Sequence, residues 1–149
     1  MVVSVLERLF SNLSIEDHGY KTPCWVWTGY IKIKPDGTDG YGRIYYDGRM
    51  WLTHRLSWTL LRGEIPPGLT IDHLCRYRSC FNPRHLEPVT HRVNVLRGIG
   101  TPAANAAKTH CPQNHPYDEQ NTYRSKTGAR ICRTCNRDWQ RTHRARQAL

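Results

Sequence analysis

Acidic side chains are scarce in this sequence. Among 149 residues, 12 Asp and Glu stand against 22 Lys and Arg, a formal net charge of +10. Such a surface calls for a polyanionic partner, either a nucleic acid or an anionic membrane surface. Long apolar runs are missing, which excludes a membrane-spanning helix. The opening "MVVSVLERLFSNL" has no basic leader, and Glu7 and Arg8 break its apolar run, so it is a poor export signal. It reads as a short amphipathic helix with Leu6, Leu9, Phe10 and Leu13 on one side. Internal repeats and long low-complexity segments are absent as well. Hydrophobic residues make up only 38% of the chain, and the mean hydropathy is −0.68. The core is therefore expected to be lean, and lean cores are commonly reinforced by cross-links or metals.

Cysteine is present in quantity. Six of them would suit three disulfides in an exported chain. Without an export signal the expected compartment is the cytosol, where thiols stay reduced and Cys/His clusters read as metal sites.

The length suits one domain, or one domain with a small appendage. From Cys24 the pattern alternates, with Trp25, Trp27, Ile31 and Ile33 on one face and Thr28, Tyr30, Lys32 and Lys34 on the other. "PDGTDG" is a turn, and Asp47-Gly48 is a hairpin signal. Three antiparallel strands are expected, with an aromatic buried face. The outer face, bearing Tyr30, Lys32, Lys34, Arg43 and Arg49, suits a ribbon in a DNA major groove. It is equally what a merely solvated sheet face would carry. "THRLSWTLLRG" has helical spacing at Leu56, Leu60 and Leu61 and closes at Gly63. "LTIDHL" reads as a strand, 75–84 as an irregular loop and "HLEPV" as a second strand. "THRVNVLRG" reads as a helix capped by Thr90 and stopped at Gly98. The Gly/Pro/Ala-rich 99–109 reads as a linker or extended arm. Past it, eight Lys or Arg and a single acid lie between Arg124 and Arg146. Arg137 and Arg141 belong to a terminal segment that reads as a basic helix along phosphates, or as a solvated end.

In the tail, "CPQNHP" and "CRTC" supply Cys111, His115, Cys132 and Cys135. Two ligand-spaced pairs of this kind can close a tetrahedral structural zinc site with no open position. His110 is an alternative to His115, although Pro112 directs the turn toward the latter. The middle segment "IDHLCRYRSCFNPRHL" supplies Cys75, Cys80 and His85. Cys24, the remaining cysteine, completes a second Cys3His set, or is a small buried core residue. Asp72, His73 and Asn94 are then unassigned. A carboxylate and an amide oxygen are hard ligands suited to Mg²⁺, and a histidine beside them can act as a general base toward water. Singly, each of these residues would read as structural.

Together, "DHLCRYRSCFNPRHL" and Asn94 resemble the HNH (ββα-metal) endonucleases, and within them the His-Cys box homing endonucleases. The pattern falls on His73, Leu74, Cys75, Cys80, Asn82, Pro83, His85, Leu86 and Asn94. The tail, "GYGRI", "HRLSW" and "GEIPPG" look like parts of phage-encoded HNH proteins. The resemblance implies an α+β fold: a small antiparallel sheet plus a zinc-stabilised ββα-metal core, with few helices. Residues 1–98 would hold the N-terminal helix, sheet and nuclease core, 99–109 the linker, and 110–149 a zinc knuckle and basic helix. It implies zinc on Cys75, Cys80, His85 and an upstream cysteine, His73 as base, and Asn94 on a catalytic Mg²⁺ or similar ion such as Mn²⁺. Asp72, which some His-Cys box relatives lack, would be the second ligand of that ion. The family's usual residue for orienting the base is replaced here by His85, which leaves a backbone carbonyl of the loop to hold His73.

The activity implied is hydrolysis of double-stranded DNA to 5′-phosphate and 3′-hydroxyl ends inside a phage-infected cell, with Arg43 or Arg49 at the scissile phosphate. Two cuts from single active sites would call for a homodimer. A non-catalytic zinc DNA-binding protein on the same scaffold is the alternative, and an RNA-binding zinc protein a third. Neither has a use for Asp72, His73 and Asn94 together.

Overall fold

The computed structural model describes residues 4–33 and 40–147. They fall into two compact units, Met1–Gly98 and Ile99–Leu149.

In the first unit, helix α1 (Val5–Phe10) starts at a capping box in which Ser4 and Glu7 bond each other's backbone. Two otherwise unpaired donors of the first turn are thereby satisfied. The helix is shorter than its apolar pattern predicts. Leu13 lies beyond it, in strand β1 (Leu13–Glu16), paired antiparallel with β2 (Cys24–Trp27). The expected long first strand stops at Trp27, because the Trp27 indole donates to the Tyr30 carbonyl at 3.1 Å and folds the chain back. Ile31 keeps a single bridge to Gly42, while Ile33 is exposed. The three-stranded sheet is thus replaced by separate two-stranded ladders. Tyr30 and Lys32 lie outside the named strands, and Lys34 lies outside the described residues.

Strands β3 (Arg43–Tyr46) and β4 (Arg49–Leu52) form a hairpin. Its turn residues Asp47 and Gly48 both have positive φ, 51° and 73°, the twist that suits a two-residue hairpin. Helix α2 (Thr53–Arg62) follows directly and ends at Gly63 with φ 101°. Ahead of β3, Gly42 is a point of close approach. A Cβ there would stand 2.6 Å from both the Trp27 ring and the Thr53 hydroxyl.

Strands β5 (Leu69–His73) and β6 (Leu86–Thr90) pair antiparallel, His73 opposite Leu86. Helix α3 (His91–Arg97) leaves β6 through the Thr90 cap, whose hydroxyl accepts from Val93. Strand, loop, strand, helix is the predicted ββα order. The core gathers Leu9, Trp27, Ile44, Leu56 and Phe81, with Trp25, Trp51 and Leu60 packed on it. Phe81 sits edge-on to Trp25 and Trp27 at 5.9 and 6.2 Å.

In the second unit the stretch read as a linker contains helix α4 (Thr101–Ala107). Pro102 occupies its first turn, where proline's missing N–H is no loss, and the alanines that looked featureless are strong helix formers. Strands β7 (Thr122–Arg124) and β8 (Arg130–Cys132) form a hairpin that leads into α5 (Arg133–Gln147). Among the described residues no helix is long and apolar enough to cross a membrane.

Phe81 is 1% exposed at the centre of the first unit. Phe81→Ala is expected to cost about 3–5 kcal/mol, read as a lowered denaturation midpoint of the full chain. The same substitution at exposed Phe10 should cost far less.

Candidate active site and metal centres

The loop between β5 and β6 is irregular but firmly held. Trp27 donates its backbone N–H to Ser79 at 2.9 Å, Phe81 donates to Trp25 at 2.8 Å, and Val26 bridges Cys80. These bonds dock the loop along β2 and bring Cys80 beside Cys24. The Asn82 carboxamide caps the 3₁₀ turn Pro83–His85 by accepting from Arg84, and the turn swings His85 onto the same spot. Cys24, Cys75, Cys80 and His85 converge, each offering a ligand atom within 4.8 Å of the others. The His85 Nδ1 lies 3.5 Å from the Cys24 and Cys80 sulfurs. A tetrahedral zinc with bonds of about 2.0–2.3 Å would space its ligands at roughly that distance. On the far side of the ring, Nε2 lies 2.7 Å from the Thr22 hydroxyl. Donating there leaves Nδ1 its lone pair, the tautomer a metal requires.

Electrostatics favours a cation in this cluster. Cys75 is lowered to about 5, first by its hydrogen bond with Cys80. Burial, and then the Cys75 charge, push Cys24 up to about 11. Cys80 is also raised, first by Cys75 and then by burial. Adjacent thiols cannot all ionise unless positive charge sits among them, so the donor set fits zinc.

The second cluster, Cys111, His115, Cys132 and Cys135, gathers equally tightly. Asn114, at φ 59°, makes the turn that lets the Cys111 N–H reach the His115 carbonyl at 2.9 Å. His115 Nδ1 stands 3.2–3.7 Å from the three sulfurs. The backbone N–H of His115 and of Cys135 and the Asn121 amide donate to the thiols, so the knuckle is pre-formed for thiolates. Cys132 is lowered to about 6, its burial outweighed by these donors, first among them the Cys135 N–H. His110 points to the Thr109 hydroxyl instead and is exposed.

Beside the first cluster, β5 carries Asp72 and His73, 2% and 6% exposed. The His73 Nε2 bonds the Cys80 carbonyl at 3.0 Å. A carbonyl only accepts, so Nε2 carries the proton and Nδ1 the lone pair. Burial pushes the His73 pKa below its ordinary value, favouring the neutral ring. Asp72 faces α3. Its Oδ1 takes Arg76 at 2.7 Å, and Arg97 stands 3.6 Å from Oδ2, an oxygen buried without a hydrogen bond. Asn94 donates its Nδ2 to Thr70 at 3.1 Å, which leaves its own oxygen as a donor atom for a cation. An orphaned carboxylate oxygen and an amide oxygen on one β5–α3 face form a donor set that fits Mg²⁺.

Comparison with known proteins bears on this segment. The HNH endonuclease family matches residues 52–96, from the end of β4 through α3. The chain is 36% identical over 86 residues to the uncharacterized gene 5.3 protein of Enterobacteria phage T3, covering 54% of this chain and 81% of that protein. The chain belongs to the HNH endonuclease family. Protein 7.7 of Escherichia phage T7 is 32% identical over 71 residues, 48% of this chain. The chain spans about half, 51%, of that relative's length. No solved structure is significantly similar.

The structure brings together both sequence-predicted Cys3His sets, one in the HNH-bearing first unit and one in the second. His73 lies against the first, and Asp72 and Asn94 lie on the α3 face. Arg43 is half-buried with its Nε unpartnered, and Arg49 is stacked over Trp51 at 3.9 Å. The arginines that reach the Asp72 carboxylate are Arg76 and Arg97, which motif reading passed over. On α5, Arg137 and Arg141 are exposed. Sequence reasoning also missed Thr22, whose isolated hydroxyl gives no motif signal, and His54, which looks like an ordinary helix residue.

The two clusters predict two zinc ions per chain by elemental analysis. Cys132→Ser should retain about one and leave the thermal transition of the HNH unit in place. Loss of that transition would refute independent metal sites.

Proposed function

We propose that the chain is an Mg²⁺-dependent endonuclease, of the phage or homing type, that hydrolyses phosphodiester bonds in double-stranded DNA and leaves 5′-phosphate and 3′-hydroxyl ends. The observation that carries this reading is the pairing on β5. A neutral imidazole is held through Nε2 by the Cys80 carbonyl, and the residue before it, Asp72, presents a buried carboxylate oxygen with no hydrogen bond. Arg76 and Arg97 flank that carboxylate, so the arrangement sets positive charge beside a neutral base. As a site for phosphate chemistry it is apt.

His73 Nδ1 takes the proton from the attacking water as that water's oxygen closes on phosphorus, in line with the departing 3′ oxygen. The Cys80 carbonyl keeps the ring in the tautomer this requires and stabilises the imidazolium that forms. Asp72 and Asn94 would hold the divalent ion, which would supply positive charge to the phosphate and the leaving oxygen. Arg76 and Arg97 stand at the same carboxylate and lend further positive charge to a phosphodiester drawn in beside it, with Arg43 an additional candidate. The two zincs brace loops and take no part in chemistry. The exposed Arg137 and Arg141 of α5, the β3–β4 hairpin with Arg49, and the neighbouring Tyr30 and Lys32, which Lys34 follows in sequence, are the DNA-binding surfaces. The net charge of +10 favours that polyanion. Relatives in phages support action in an infected host cell, and a homodimer would supply a second active site for the opposite strand.

Incubation with supercoiled plasmid and Mg²⁺ should give nicked or linear product, lost with EDTA. His73→Ala should lower the cleavage rate by about 10²–10⁴-fold and leave DNA affinity unchanged. Wild-type binding without cleavage would instead favour a non-catalytic DNA-binding protein. The acid limb of the rate profile is a second check. The active form is the deprotonated ring, and burial depresses its pKa from the ordinary 6.5. Cleavage should therefore persist as pH falls through 6.5 and decline only below it, and a limb above 6.5 would exclude His73 as the base.

A further inference from the structure

One buried polar group stands apart from everything assigned so far. His54, in the first turn of α2, is 4% exposed, and its Nδ1 is buried without a hydrogen-bond partner. A leucine or phenylalanine in the same place would pack without that penalty. The ring touches His73 instead. The two imidazole centroids are 4.6 Å apart with planes at 62°, edge to face. Tyr41 lies against both, 4.9 Å from His54 and 5.8 Å from His73.

The position of His54 relative to the Cys80 carbonyl is fixed. Ser57, one turn along α2, donates its hydroxyl to the Phe81 carbonyl at 2.6 Å, and Phe81 follows Cys80 directly. At the start of the helix, Thr53 donates its backbone N–H to Gly42 at 2.9 Å. The helix carrying the wedge and the loop carrying the hydrogen-bond acceptor are thus bolted together on either side of His73. The ring has one strong tie, the bond at Nε2. A terminal torsion of this type has a broad, roughly two-fold well, and a half-turn about Cβ–Cγ would carry Cε1–H to the place of Nε2, break the bond to the carbonyl and leave nothing to fix which nitrogen holds the proton.

We propose that His54 is a positioning residue. Its ring, wedged edge-on against His73 beneath Tyr41, blocks that half-turn and keeps Nε2 on the Cys80 carbonyl, with Nδ1 as the free nitrogen. The inference rests on His73 being the general base proposed above. The wedge acts through shape, so a flat ring at position 54 suffices and a methyl group does not.

The test uses the full zinc-loaded chain with His54→Ala and His54→Phe. Long-range ¹H–¹⁵N spectra of the histidine rings, recorded without DNA, should show His73 of the wild type as a single Nε2–H tautomer. His54→Ala should show averaging between tautomers, and His54→Phe should restore the single form. With plasmid and Mg²⁺, His54→Ala should lower kcat by about 10- to 100-fold with KM changed less than about twofold. His54→Phe should recover most of the rate. A single His73 tautomer or near-wild-type kcat in His54→Ala overturns the proposal. If His54→Ala fails to retain zinc, His54→Phe decides: wild-type tautomer and rate support the wedge, and their loss overturns it. A wild-type chain that does not cut DNA defeats the nuclease reading alone, because the tautomer is read without substrate.

Discussion

Cys80 is the point on which the arrangement turns. Its thiol belongs to the Cys3His cluster, and its carbonyl holds His73. The backbone bonds that dock the loop on β2 serve both, so the geometry of the cluster and the geometry of the imidazole are set by one short piece of chain. A metal gathered by the thiolates would contribute to folding free energy, and that stabilisation would reach His73 through a single residue. This accounts for the second half of the irregular β5–β6 loop being as well buried as the strands beside it. Ser79, Cys80, Phe81, Asn82 and His85 are all sequestered in a chain otherwise poor in apolar residues.

The two faces of β5 divide the labour. Alternation along the strand sends Thr70 and Asp72 toward α3, where Asn94 and Arg97 wait, and sends His73 toward α2 and its histidine. Backbone adjacency then keeps the imidazole and the carboxylate close although they face different neighbours. Charge is divided in the same way. The β5–α3 face carries the acid and its arginines, and the α2 side is neutral and aromatic. The proposed general base sits in the second environment, where a neutral ring is favoured, and the proposed cation site in the first.

Much of this could be read from the residues. The spacing from His73 to Asn94 carried the ββα order and the cap at Thr90, the Asp47-Gly48 pair carried the hairpin, and the Cys/His spacings carried both ligand sets, because each depends on local chemistry at fixed offsets. What could not be read depends on tertiary context. The alternation through Trp25, Trp27, Ile31 and Ile33 suggested one long strand, but an indole-to-carbonyl bond ends it at Trp27. The alanines of 101–107 looked like a tether and form a helix. Arg76 and Arg97 gave no signal, because only the folded strand and helix bring them to Asp72. His54 was invisible for the same reason: its importance lies in a contact across nineteen positions of sequence.

Gly42 deserves its place in the "GYGR" stretch for a reason unrelated to flexibility. With no room for a side chain between the Trp27 ring and the Thr53 hydroxyl, the backbone there lies flush against the start of α2. Tyr41, one residue back, consequently reaches over both imidazoles. A single methyl group at this spot, next to Tyr41, would press at once on the core through Trp27 and on the cover of the two imidazoles, so the packing of the unit and the shape of the chamber answer to one and the same position.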